Sequence, residues 1–399
     1  CMAERPCRRC QQRVLACACR RRCVWGGGLG VIFCALLAPQ QPKDSQHESF
    51  LDFHGILFMP EIDWVAFKDW SSRTRPANLT NRFDWLLWPS KVHDYPVHRR
   101  MDDPQTVYAL PKAVGELLSV AAAEFDPGRS DRVVVFGGDE TPLSEAFGKT
   151  DAERVQTVRS LRRWFRAVFY YVKDVHVDGV MTMPVGLAHF HLARGEVTSA
   201  ASKVIAAVRP DGSFKDKSVL ASFSIGSHSD HLEMATRYSD EEWLTVFAEL
   251  QCEPPSRAIA ADAFAQRMEV AEWGQTDAAA AVGVEFRRVQ GGAGRWWQEL
   301  ARYKFLLCPL GSGIQSIKVF EAMMVLTVPI VKRSTYPVFD DMVRLGFPLV
   351  VVDDWDELTP SKLSDAWQSL SPRLASFRRN CLTADGLWRI FTGGNGSCY

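Results

Sequence analysis

The chain has 399 residues, 47% of them hydrophobic and 24% charged, with 47 basic side chains against 47 acidic ones. That length suffices for two domains of ordinary size with full cores, and the composition excludes wholesale disorder. The balanced charge leaves no global field to attract nucleic acid, and no internal repeat or heptad run points to a solenoid or a coiled coil.

The first 49 residues differ from the rest. Seven of the 11 cysteines (Cys1, Cys7, Cys10, Cys17, Cys19, Cys23 and Cys34) lie here, and Arg20-Arg21-Arg22 precede an apolar run of 15 residues, Val24 to Ala38. A basic flank before such a run is the pattern of a secretory signal or a short type II signal anchor. A spanning helix needs about 20 apolar residues, so the expectation is an h-region or a marginal anchor. It implies the ER or Golgi lumen or secretion, with membrane contact through this segment. The sequons Asn78-Leu79-Thr80 and Asn395-Gly396-Ser397 fit that route. In an oxidising lumen Cys381 and Cys398 are available to pair and close a tail loop. Cys308 falls in an apolar run and reads as an inert core thiol.

Beyond a polar linker at 40–50, Phe53 to Met59 reads as a strand and 61–105 as an irregular, tryptophan- and proline-rich region. Pro111 to Phe125 has helical spacing (Val114, Leu117, Leu118, Ala121). Arg132 to Phe136 is a strand that ends in Gly137-Gly138-Asp139-Glu140. A helix is expected over 151–171 and a short strand over 179–184. Arg209 to Ser213 is the expected interdomain link, turn-rich and polar. Lys217 to Ser224 then opens a second sheet, with helices over 241–250, 258–273 and 296–303. This alternation predicts an α/β protein with parallel sheets covered on both faces. The expected domains are 50–212 and 213–392, with a tail at 393–399.

The most informative stretch runs from Lys304 to Ala322. A strand, Phe305 to Cys308, ends at Pro309; a loop with Gly311, Ser312 and Gly313 follows; a helix then carries Lys318 and Glu321 three residues apart. Strand, glycine loop and helix N-terminus together form a place where backbone N–H groups hold phosphate. Glu321, one turn deeper, would take a ribose. Two further strands follow, Val325 to Val331 and Phe347 to Trp355, with Lys332 and Arg333 after the first.

This block resembles the C-terminal half of exostosin-like glycosyltransferases, including the domain shared with the ribitol xylosyltransferase group. The residues that carry the likeness are Phe305, Pro309, Gly311, Gly313, Glu321, Ala322, Pro329, Pro348, Asp354, Trp355, Glu357 and Thr359. A weaker echo is Met183-Pro184-Val185-Gly186-Leu187-Ala188-His189. The resemblance implies a GT-B fold: two Rossmann-like domains with a nucleotide sugar, most simply a UDP-sugar, held mainly by the second, and a glycan or glycoprotein acceptor. Four positions depart from the family pattern. Leu310 stands where an arginine is expected, Gln315 and Ala188 where aspartates are, and Ile317 where a polar residue is. An arginine–diphosphate contact is worth roughly 1.5–3 kcal/mol, so a catalytically inactive GT-B-fold carbohydrate binder is the alternative. Lys318, Lys332 and Arg333 are the replacement cations.

Glycosyl transfer needs a base for the acceptor hydroxyl. Asp139 and Glu140, after a strand end, and then His189 are the candidates; helix capping is the structural role Asp139 and Glu140 would otherwise have. No cofactor beyond the nucleotide sugar is required. His228, Asp230 and His231 lack the spacing of a metal site, and Asp353-Asp354-Trp355-Asp356 reads as structural, with Asp356 capping the next helix. A dehydrogenase is disfavoured because no G-x-G-x-x-G follows the first strand.

Overall fold

The computed structural model describes residues 82–87, 97–138, 140–186, 195–224, 230–249, 256–289, 293–311, 313–393 and 398. The expected strand at Phe53 to Met59, both sequons and the cysteine-rich segment lie outside them. Among the described residues no helix is long and apolar enough to cross a membrane.

The first half is a sheet of order β2-β1-β3-β4-β5-β6, parallel except for the edge strand β2. Its strands are β1 Trp85–Leu87, β2 Val97–Arg99, β3 Thr106–Ala109, β4 Arg132–Phe136, β5 Phe165–Tyr170 and β6 Val180–Thr182. Helices α1 Val114–Glu124, α2 Leu143–Ala146 and α3 Asp151–Arg162 connect them, and α4 Gly195–Ala207 follows. Every residue of β4 is buried, as a central strand covered on both faces requires. The helix expected over 151–171 is corrected: α3 stops at Arg162, and Phe165–Tyr170 is a strand. A capping box between Thr150 and Glu153 fixes the helix start. The aromatic and β-branched residues after it gain more by burial between β4 and β6 than by prolonging an exposed helix.

The second half is an all-parallel sheet of order β11-β10-β9-β7-β8. Its strands are β7 Lys217–Ala221, β8 Val284–Phe286, β9 Tyr303–Leu307, β10 Val328–Lys332 and β11 Val350–Val352. The helices are α5 Asp230–Arg237, α6 Asp240–Glu249, α7 Arg257–Trp273, α8 Asp277–Ala281, α9 Ala293–Ala301, α10 Ile317–Met324, α11 Val338–Arg344, α12 Pro360–Cys381 and α13 Ala384–Thr392. Two boundaries move. Tyr303 opens β9 rather than ending the helix before it. Leu326, at φ +58°, turns the chain ahead of β10. The cap expected of Asp356 belongs to Asp354, whose carboxylate accepts from the Asp356 N–H, while Thr359 caps α12. Asp354 precedes the turn with extended backbone, the geometry an N-cap needs.

The halves meet at the C-terminal ends of their strands. Gln315, after β9, donates through Nε2 to Tyr171 O (3.1 Å) and Met183 O (2.9 Å), and its Oε1 accepts from Val185 N (3.1 Å). Lys173, after β5, pairs with Asp341 of α11 at 2.7 Å, both buried, and Thr182 Oγ1 donates to the same carboxylate at 2.6 Å. The last helix, α13, lies on the first sheet through Phe391 against Phe169 (4.8 Å) and Trp388 against Phe83 (5.1 Å). Cys381 and Cys398 form a disulfide across it, with Cα atoms 5.4 Å apart.

Candidate functional site

In the second sheet the chain steps from β7 to β8 on one side, then returns past β7 to lay down β9, β10 and β11 on the other. Strand order therefore reverses between β7 and β9. In open parallel sheets, the crevice beyond the carboxyl ends of such a pair is where ligands sit. Two loops leave the sheet here: 222–224 after β7, and the glycine loop after β9.

Lys318 and Glu321 of α10 both point into this place. Lys318 donates to Ser222 O, and its ammonium lies 4.6 Å from the centre of the Trp296 ring. Glu321, one turn further on the same helix face, is 4% exposed and accepts from Trp296 Nε1 at 3.0 Å. Helix α7 approaches from the other side. Gln266 Oε1 accepts from Leu310 N at 2.7 Å, and Arg267 donates to Leu310 O (3.2 Å) and Ser224 O (3.4 Å). Leu310 itself is buried, so its side chain fills the core while α7 holds its peptide groups.

Burial sets the electrostatics. It pushes the Glu321 carboxyl up to about 7, against the opposing pull of Lys318 and the Trp296 hydrogen bond. Lys318 is lowered by burial and Arg267 is lowered to about 10 by the same cause. A carboxyl raised in the folded state stabilises fully below its ordinary value, and that stability is lost as pH rises through the folded value. Glu321→Gln is therefore expected to flatten the fall in stability between roughly pH 4.5 and 7 and to exceed the parent by a few kcal/mol at pH 8. Urea unfolding across that range measures it, and parallel curves for the two proteins would oppose it.

The glycine loop departs from the expected bare cradle. Leu310 N is held by Gln266, Gly311 N by Ile314 O, Ile314 N by Gly311 O and Gln315 N by Gly313 O. Ser316 caps α10 with its own hydroxyl. The loop closes on itself in a tight turn that drives Ile314 to φ +67°, a strained conformation for a β-branched residue. Gly313 is closely packed: a Cβ there would lie 3.0 Å from Tyr171 Oη and 3.2 Å from Glu140 Oε1. These loop N–H groups are thus bonded within the protein, unlike the bare cradle expected from the sequence.

Of the expected base candidates, Glu140 is described: it stands against Gly313, at the meeting of the two halves. It does not cap α2, where Asp174 accepts from Ser144 N at 3.0 Å instead. Asp139, His189 and Ser312 lie outside the described residues, as does the 225–229 loop with His228. Pro309 is buried at the exit of β9. Lys332 and Arg333 each have carboxylate partners. Lys332 pairs with Glu269 at 2.6 Å, and Arg333 with Asp340 (3.2 Å) and Asp353 (3.3 Å). Reasoning along the chain missed Gln266, Arg267 and Trp296. Trp296 shows as one of a tryptophan pair on the helix feeding β9; Gln266 and Arg267 carry no local signal. Among the described residues no cluster of metal-ligating side chains occurs.

The chain matches no protein-family model and no curated protein sequence.

Proposed function

We propose that the protein is a glycosyltransferase of GT-B type, moving a sugar from a nucleotide-sugar donor to a glycan or glycoprotein acceptor. The donor diphosphate sits at the switch point of the second sheet, with Lys318 beside it and Glu321 behind. One observation carries this reading: the strand–loop–helix block that resembles exostosin-like enzymes ends at the one reversal of strand order in that sheet, with Lys318 and Glu321 both turned into it. Binding there leaves the C-terminal end of the first sheet to face the acceptor. Glu140, against Gly313, is the base that takes the acceptor proton, while the leaving diphosphate is stabilised by fixed positive charge.

Calorimetry with UDP and GDP on the full chain tests it. Lys318→Gln is expected to weaken the preferred nucleotide about tenfold or more, the worth of one charge-assisted contact. Absence of heat with either nucleotide overturns the donor reading. Binding of glycan without nucleotide would favour the carbohydrate-binding alternative, which the self-closed glycine loop supports.

A further inference from the structure

We infer that Arg267 of α7 is the second anion-binding group of this site: it supplies, from another element, the guanidinium that position 310 lacks, and with Lys318 it forms a two-cation seat for a diphosphate. The inference rests on the donor reading above and adds a specificity-determining residue to it.

Four observations converge. First, Leu310 is the position at which a diphosphate-binding arginine is expected, and it is filled by a buried aliphatic side chain. Second, the Arg267 guanidinium lies at that residue, donating to Leu310 O and, across the switch point, to Ser224 O. Gln266 grips the N–H of the same residue, so α7 clamps the Leu310 backbone at both polar groups and fixes where the guanidinium stands. Third, Arg267 Nε is buried and has no hydrogen-bond partner among the described residues. An orphan N–H on a cation is costly, and an acceptor oxygen from outside would satisfy it. Fourth, Lys318 is lowered chiefly by its burial, and the nearby Arg267 guanidinium adds to that lowering. Among the described residues neither has a carboxylate within ion-pair distance, whereas Lys332 and Arg333 each do. Trp296 holds the acid and the cation in place together: its indole N–H donates to Glu321 while its ring face meets Lys318.

Two like charges brought together at a sheet's switch point, with only the buried Glu321 carboxyl, itself raised to about 7, beside Lys318 among the described residues, attract a multivalent anion. A diphosphate fits this chemistry, since its oxygens can accept from a planar guanidinium and from a point ammonium together. The carbonyls of Ser222, Ser224 and Leu310 fix where the donors stand.

The test uses calorimetry on the full chain with UDP, UMP, uridine and inorganic pyrophosphate as probes. Arg267→Gln is expected to weaken UDP and pyrophosphate about ten- to a hundredfold, with UMP less affected and uridine unchanged. Arg267→Lys, which keeps the charge and is tolerant of folding, recovers only part of the loss because an ammonium has no fork. The salt dependence of UDP binding becomes shallower in Arg267→Gln. A purely structural Arg267 would lower all four ligands together, or none, and that result overturns the inference. If Lys318→Gln loses UDP while Arg267→Gln binds it as the parent does, the Arg267 assignment fails and the donor reading stands. If the parent binds pyrophosphate but no nucleotide, the two-cation seat stands and the donor reading fails; if it binds neither, both fail.

Discussion

Asp341→Asn is expected to cost about 3–5 kcal/mol of stability, the range for removing one partner of a buried ion pair. The carboxylate is 5% exposed and holds Lys173, itself 1% exposed, at 2.7 Å. It also accepts from Thr182 and pairs with Arg344. Removing its charge strands the Lys173 ammonium with Val180 O as its remaining partner at 2.8 Å. Because Lys173 belongs to the first half and Asp341 to the second, the loss falls on the contact between them. The pH dependence follows. Burial alone would raise the Asp341 carboxyl, but the hydrogen bonds from Lys173 and Thr182 hold it below the ordinary value. A lowered carboxyl contributes stability above its unfolded value, lost as pH falls through the folded one. The parent should therefore weaken below roughly pH 4 more steeply than Asp341→Asn. Urea midpoints that fall in parallel for the two proteins would refute the assignment.

The second large effect is expected from Gln315→Glu, a change of one amide NH2 for an oxygen. The parent amide uses both ends: two donors meet Tyr171 O and Met183 O, and one acceptor meets Val185 N. A carboxylate keeps the acceptor but turns an anion toward two buried carbonyl oxygens, each left without its donor. Orphaned buried groups cost about 1–3 kcal/mol apiece, so a loss of roughly 3 kcal/mol or more is expected at pH 7. The loss should shrink at pH 5, where a protonated glutamic acid donates to one of the carbonyls. Thermal or urea unfolding at the two pH values checks this, and equal losses at both would count against the amide orientation. The same geometry bears on the aspartate expected at position 315: a carboxylate there could not donate to Tyr171 O or Met183 O as the amide does.

Much of the fold was visible in runs of neighbouring residues. Arg132 to Phe136 reads as a buried strand and is one; the helical segment within Pro111 to Phe125, the strand after Gly179 and the thiol of Cys308 in the core came out as expected. Cys381 and Cys398 pair. The failures share a cause. Phe165 to Tyr170 carries apolar residues that suit a helix face or a strand alike. Burial between β4 and β6 decides for the strand, and no window of consecutive residues contains that fact. The glycine loop was read correctly as a turn but not as one that consumes its own N–H groups, because Gln266 reaches it from 44 positions away.

The candidate site divides the same way. Lys318 and Glu321 were readable because a helix brings positions three apart onto one face, a rule of local geometry. Arg267 was not, since its place beside Leu310 depends on α7 packing over the loops after β7 and β9, 43 residues away in both directions. Gln315 read only as a position where an aspartate was expected, and its partners at Tyr171 and Met183 lie more than 130 positions distant.

Composition, periodicity and turn chemistry were enough to give an α/β chain of two parallel-sheet halves, because those signals act between residues a few positions apart. The reversal of strand order between β7 and β9, the place of Arg267 beside Leu310 and the charge partners of Lys332 and Arg333 emerged only on folding. Strand neighbours are chosen by how whole faces bury one another, and a charge becomes available to a ligand only when packing leaves it without a carboxylate.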